Sequence, residues 1–288
     1  MREPEPRIGE FPIAVFHVAA DIGTDSSYGE IDPQRMYKGL FDATQNVLDS
    51  ITKAGTVQRL VYTSSCAAVM GPAPPGHEFT EDDWAGAGPY ETLEEKWKGG
   101  WTIEKNAYAV GKVECEKMTY RWGDENGVEV ITSCPNHVIG PLLAKAHDTI
   151  WQHRLGEIFC GRYSIDMLWN ITDVRDVAAS QRLMAESPNA GNGSRYINAS
   201  PTDGTGELTA RELVESLQAL FPDAENIGGS KPMTEDRPGP LAKTTLAEVQ
   251  LGLRCHIIND TLKDTIDTLD AFGALDEIRA RMAEKASL

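Results

Sequence analysis

Ile13-Ala14-Val15-Phe16-His17-Val18-Ala19 is a short, almost wholly apolar run, the composition of a β-strand covered on both faces. Downstream, residues 32–54 read as a helix: Asp32 stands where a cap belongs, Pro33 suits the first turn, and Gly55 suits a left-handed end. A second apolar run, Arg59-Leu60-Val61-Tyr62-Thr63-Ser64-Ser65, follows. A third, Val128-Glu129-Val130-Ile131-Thr132-Ser133-Cys134, stops at Pro135 after a helix over residues 102–126 that ends at Gly127. Strands separated by helices of this length are not hairpins, so the pattern predicts an α/β fold with a parallel sheet and right-handed crossovers.

After Gly140-Pro141 the pattern loosens into a helix over residues 147–159, a strand over 167–172, a helix opened by Asp173-Val174-Arg175-Asp176, and a strand Arg195-Tyr196-Ile197-Asn198. Helices over 209–221 and 261–272 occupy the C-terminal third, linked by Gly- and Pro-rich text around 228–240, which predicts a second, smaller lobe. Residues 71–100 are rich in Pro, Gly and acids and read as a long excursion over the sheet edge. Trp84, Trp97 and Trp101 along it fit either a lid over an apolar substrate or aromatics packed for local stability.

The chain has 288 residues, with 27 Lys+Arg against 44 Asp+Glu and a formal charge of −17. Binding DNA or RNA needs clustered cations, so a nucleic-acid partner is excluded on charge. No stretch reaches about 18 consecutive apolar residues, and Met1-Arg2-Glu3-Pro4-Glu5-Pro6-Arg7 lacks the apolar core of a signal peptide. The expectation is a cytoplasmic chain with no membrane association. Cys66, Cys115, Cys134, Cys160 and Cys255 are odd in number and contain no C-x-x-C, as expected of reduced thiols, and the six histidines form no H-E-x-x-H, so no metal site is expected.

The chemistry concentrates in Tyr108-Ala109-Val110-Gly111-Lys112, where i to i+4 spacing in a helix puts phenol and ammonium on one face. A tyrosine with a pKa of about 10 is a poor proton carrier at neutral pH, and a neighbouring Lys⁺ moves that value toward the working range. Alone, such a pair more often marks two solvated helix positions. Context gives it weight: Tyr62-Thr63-Ser64-Ser65 places hydroxyls at a strand C-terminus, where open parallel sheets bind ligands, and the loop Asn136-His137-Val138-Ile139-Gly140-Pro141 falls on the same edge.

In this order, Phe16-His17-Val18-Ala19-Ala20, the serine strand 59–66, Thr80-Glu81-Asp82-Asp83-Trp84, the Tyr/Lys helix, Pro135 to Pro141 and Asp173-Val174-Arg175-Asp176-Val177-Ala178 resemble the extended short-chain dehydrogenase/reductases. The branch is the one that holds dihydroflavonol reductase, cinnamoyl-CoA reductase and aldehyde/ketone reductases, and the likeness runs from Phe16 to Gly273. It implies an N-terminally truncated Rossmann-like parallel sheet with a smaller C-terminal substrate lobe. Residues 1–140 with about 165–200 would form a partial dinucleotide-binding domain, and 141–164 with 201–288 the lobe. It implies NAD or NADP as cofactor, with Tyr108 as general acid/base and Lys112 lowering its pKa while holding the nicotinamide ribose. Ser65 would polarise the substrate carbonyl, with Ser64 in reserve. Ala19 and Ala20 would lie beside the adenosine half, and Ser64, Pro135, His137 and Val138 beside the nicotinamide. His17 and His137 are expected to be structural rather than catalytic. The implied substrate is a small carbonyl compound or alcohol, and the implied partner a second copy through an apolar four-helix seam of residues 32–54 and 102–126.

One departure stands out: the G-x-x-G-x-x-G turn is absent, and some fifteen residues precede the strand that resembles the family's fourth. An exposed apolar strand edge is therefore expected at residues 13–19. Three explanations fit: an incomplete stretch of an ordinary reductase, a short paralogue that has lost dinucleotide binding and acts as a binding protein, or a chain that another subunit completes or that holds its cofactor differently. The activity expected is oxidoreduction between ketone or aldehyde and alcohol. A sugar-nucleotide epimerase or dehydratase, using the same residues, is the alternative enzyme.

Overall fold

The computed structural model describes residues 13–20, 32–71, 77–86, 101–162, 168–229 and 241–286. In chain order these form β1 (Ala14–His17), α1 (Pro33–Ala54), β2 (Arg59–Thr63), a 3₁₀ turn (Cys66–Ala68), β3 (Glu78–Phe79), α2 (Ile103–Asn126), β4 (Glu129–Pro135), β5 (His137–Ile139), a second 3₁₀ turn (Lys145–His147), α3 (Ile150–Phe159), β6 (Trp169–Asp173), α4 (Val174–Glu186), β7 (Arg195–Asn198), β8 (Glu207–Leu208), α5 (Ala210–Leu220), β9 (Leu241–Ala242), α6 (Thr245–Leu251), α7 (Ile258–Ala271) and α8 (Ala274–Ala286).

Four strands pair in the order β1-β2-β4-β7, every pairing parallel, with Val61 beside Phe16 on one side and Ile131 on the other. Successive β2 residues enter different cores. Leu60 packs with Leu48, Ile51, Val128 and Val130, whereas Val61 packs with Ile131, Met184, Tyr196, Ala247 and Leu251. Alternation along a strand therefore buries both faces, which is why β2 reads as a continuous apolar run. β1 is the outer strand. Among the described residues only β2 pairs with it, and Ile13, Phe16 and Val18 are 56%, 46% and 56% exposed, the apolar edge expected from the sequence.

The Asp32 carboxylate accepts from the Gln34 and Arg35 amides at 3.0 and 3.1 Å, and Gly55 closes α1 in the left-handed region. The apolar stripe of α1, with Met36, Leu40, Leu48 and Ile51, faces inward. Its exposed positions include Gln34, Arg35, Lys38 and Asp42, and those of α2 are Glu104, Lys105, Arg121, Asp124, Glu125 and Asn126. The buried stripe is consumed between α1, α2 and the sheet, and half-buried Tyr37, Phe41 and Val47 stand beside it on α1. Close approach of the two helices needs Gly111, since a Cβ there would stand 2.7 Å from Leu40 Cδ1.

A second core joins β5 and β6 to α3, α5, α7 and α8 through Ile139, Leu155, Trp169, Ile171, Leu213, Leu217, Leu262, Leu269 and Ile278. α6 lies in the range expected for the smaller lobe, yet Ala247 and Leu251 pack on the four-stranded sheet. Residues 137–139, expected as loop, form β5 by parallel pairing of His137 with Ile171 and Ile139 with Asp173. Much of the excursion, with Trp97, and residues 230–240 lie outside the described residues. No helix among the described residues is long and apolar enough to cross a membrane, and no cluster of His, Cys, Asp or Glu among them could hold a metal.

Candidate active site

Ser65 leaves the C-terminal end of β2 in extended conformation, and its Oγ accepts from the Ala67 amide at 3.1 Å, capping the 3₁₀ turn. Tyr108 follows a kink in α2 at Asn106, where φ is −140° and ψ 35°, and its phenol lies near enough to the Ser65 side chain for that hydroxyl to favour its ionised form. One helical turn on, Lys112 is 3% exposed, donates from Nζ to the Thr63 carbonyl at 2.9 Å, and stands 5.8 Å from the centre of the Tyr108 ring. The trio nominated by the sequence is thus assembled by one strand end and one helix face. An open groove of about 380 Å³ is lined by Pro33 and Met36 of α1 and by residues 104–109 of α2, Tyr108 among them.

Burial pushes the Tyr108 phenol above its ordinary pKa of 10.0, with the Ser65 hydrogen bond pulling the other way. Lys112, expected to act on this phenol, stands 5.8 Å from the ring centre with its Nζ on the Thr63 carbonyl. The desolvation of a phenolate wins, so Tyr108 holds its proton at neutral pH. Burial also pulls Lys112 down, to about 8.

Ser64 does not share the site with Ser65. It is 3% exposed and its Oγ donates to Glu116 Oε2 at 2.5 Å, because neighbours in extended backbone point to opposite sides. The Ser64 hydroxyl, named as reserve to Ser65, is thus engaged with Glu116. Ala19 and Ala20 are exposed just past the end of β1, and Pro135, buried at the end of β4, pairs in register with Asn198. The His137 ring stacks 3.9 Å from Trp151, accepts at Nδ1 from the Asn170 amide at 3.1 Å, and is lowered by burial to about 4. His17, next to Thr44 at 3.4 Å and Tyr62 at 5.4 Å between rings, is likewise lowered by burial to about 4. Both imidazoles are therefore neutral at pH 7. Val138 is half-buried on β5, paired with Thr172.

Sequence reasoning missed two residues. Glu116, fully buried one turn past Lys112, and Arg195, 6% exposed on β7, form an ion pair with Nε to Oε1 at 2.7 Å. The available signals were the 108, 112, 116 spacing and an arginine opening the short strand Arg195–Asn198. Trp84 is half-buried under the Arg195 guanidinium at 3.9 Å and the Lys117 ammonium at 5.1 Å, contacts that favour local packing.

The chain is 27% identical over 262 residues to cinnamoyl-CoA reductase 1 of Petunia hybrida, covering 91% of this chain and 72% of that protein. It is 28% identical to dihydroflavonol 4-reductase of Hordeum vulgare, covering 73% and 54%. Yeast methylglyoxal/isovaleraldehyde reductase Gre2 complexed with NADPH superposes with a TM-score of 0.71 at 23% identity, over 91% of this chain and 78% of that one. Residues 8–200 match the NAD dependent epimerase/dehydratase family. With the parallel sheet and the edge on which Ser65, Tyr108 and Lys112 meet, that match makes the chain a member of the NAD dependent epimerase/dehydratase family.

Proposed function

We propose that the protein is an NAD(P)-dependent oxidoreductase that interconverts a small ketone or aldehyde with its alcohol, Tyr108 carrying the proton. The observation that carries this reading is the half-buried Tyr108 side chain beside Ser65 at the end of β2, with Lys112 one turn behind it and 5.8 Å from its ring centre. A nicotinamide ribose suits the donors present: an ammonium has three N–H bonds, and Thr63 is the one hydrogen-bond acceptor found for Lys112 among the described residues. A bound nicotinamide dinucleotide supplies or takes the hydride. For reduction, Tyr108 Oη gives its proton to the carbonyl oxygen while the Ser65 hydroxyl donates to the same oxygen, and the charge on Lys112 stabilises the phenolate left behind. The names of the relatives, cinnamoyl-CoA, dihydroflavonol and methylglyoxal/isovaleraldehyde reductases, support carbonyl reduction. The five thiols, none in a disulfide, suit a reducing cytosol.

Calorimetric titration with NADPH and NADH, with a thermal-shift control, tests the reading. Binding near micromolar is expected, followed by aldehyde turnover that Tyr108→Phe lowers by roughly 10²–10⁴-fold. Absence of binding, or full turnover in Tyr108→Phe, overturns it.

A further inference from the structure

Thr63 of β2 stands in register beside Ser133 of β4, so Ser65 and Pro135 leave the same edge of the sheet, and His137 opens β5 two residues beyond Pro135. On His137 the fold builds a stack. The spacing i to i+3 puts Trp151 and Arg154 on one face of α3. The Trp151 ring centre lies 3.9 Å from that of His137, and the Arg154 guanidinium 4.8 Å from that of Trp151. Trp169 of β6 packs edge-on to His137 at 5.8 Å and to Trp151 at 5.6 Å. The cluster holds donors without acceptors. His137 is neutral and its Nδ1 accepts from the Asn170 amide, so its proton sits on Nε2, for which no acceptor is found among the described residues. Trp169 Nε1 has no hydrogen-bond partner, although the side chain is fully buried.

Arg154 completes the pattern. In a chain of formal charge −17 an arginine partly withdrawn from water should find a carboxylate, yet no acceptor among the described residues engages it. The other described cations that meet no acceptor, Lys53, Lys105, Arg121, Arg211 and Arg254, are all exposed, whereas Arg154 is half-buried. The acids nearest along its helix are taken: Glu157 pairs with Arg162 and faces His153, and Asp148 pairs with His153 at 3.1 Å. A guanidinium stacked on an indole covers its face and keeps the N–H groups of its edge, which fit two oxygens of a carboxylate or phosphate. Donors shielded from water and left unpaired are costly, and a bound oxyanion would remove that cost. We propose that Arg154, His137 and Trp169 form a site for an oxyanion group, carboxylate or phosphate, carried by the carbonyl substrate. This rests on the reductase reading given above and narrows it to a ketone or aldehyde that bears an acid group.

The test follows the indole N–H resonance of Trp151 in the nitrogen-15-labelled full chain, assigned by its loss in Trp151→Phe. Sodium phosphate and, separately, sodium acetate are titrated in at an ionic strength held constant with chloride. A saturable shift with at least one of them is expected, and the one that acts names the acid group. Arg154→Gln should raise the half-saturating concentration roughly ten-fold or more, and Arg121→Gln, exposed on α2, should leave it unchanged. No saturable shift with either anion, or an unchanged midpoint in folded Arg154→Gln, overturns the proposal. Should that variant not fold, Arg154→Leu, which keeps an apolar cover on Trp151, must show the same weakening. An unchanged midpoint there, or failure of both variants to fold, assigns the arginine a purely structural role and overturns the proposal. Repeating the titration with saturating NADPH separates the two sources of an oxyanion: a shift that persists supports the substrate, and one that NADPH abolishes assigns the site to the cofactor's phosphates and overturns the proposal. The first titration uses neither cofactor nor turnover, so failure to bind NADPH would overturn the reductase reading by a separate result.

Discussion

Glu116 on α2 and Asp173 at the head of α4 are both fully buried carboxylates facing an arginine, yet their carboxyls move in opposite directions. At Glu116 burial dominates and raises the pKa, with Arg195 opposing it. At Asp173 burial also raises it, but hydrogen bonds from Arg175 and Thr261 overcome that and leave the carboxyl below its ordinary value. Asp173 accepts four short bonds, from the Arg175 amide at 2.7 Å, Nε at 2.9 Å and Nη2 at 2.7 Å, and from Thr261 Oγ1 at 2.7 Å. Arg175 also keeps 35% of its side chain in water and reaches Asp264, whereas Arg195 keeps 6%. The difference teaches that donors to the charged form, more than the presence of a counter-charge, decide whether a buried acid stabilises the fold by ionising.

The largest effect should come from breaking the more buried pair. Arg195→Met leaves Glu116 without its partner and should cost about 3–5 kcal/mol in urea unfolding at neutral pH. The loss should shrink as pH falls and Glu116 protonates, and a pH-independent loss would contradict the direction given for Glu116. Asp173→Asn should cost roughly 1–2 kcal/mol through a weakened helix cap and lost charged hydrogen bonds. Here the linkage runs the other way. Asp173 is lowered in the folded state, so its contribution is present above the unfolded carboxylate value near 3.8 and disappears as pH falls through the folded value. Urea midpoints of wild type and Asp173→Asn should therefore converge in acid, and parallel curves would refute it. The exposed Lys38–Asp42 pair on α1, with side chains 73% and 51% accessible, is the control. Asp42→Asn should leave the midpoint unchanged within error at every pH, because water already solvates both charges.

Ser65, Tyr108 and Lys112 were legible because each rests on a local rule: a strand C-terminus in a parallel sheet, and i to i+4 spacing on one helix. Glu116 and Arg195 were not, since 79 residues separate them and only the crossover from β4 to β7 makes them neighbours. β5 was invisible for a similar reason: three residues after Pro135 become a strand only because β6 lies beside them. The α7 helix begins at Ile258, earlier than expected, with no side-chain cap to announce it. Ser64 and Ser65 show the limit at the scale of one residue. As text they are interchangeable, and the sheet turns one toward Glu116 and the other toward Tyr108.

By itself the sequence determined the parallel α/β sheet, the apolar outer strand and the Tyr108–Lys112 face, because hydrophobic period, caps and helical spacing act within one element. Tertiary structure alone decided which serine meets the phenol and that burial raises Tyr108 while lowering Lys112. It also decided that Glu116 and Arg195 share one site. Those outcomes depend on desolvation and on donors brought from distant strands, and both exist only once the chain has closed around them.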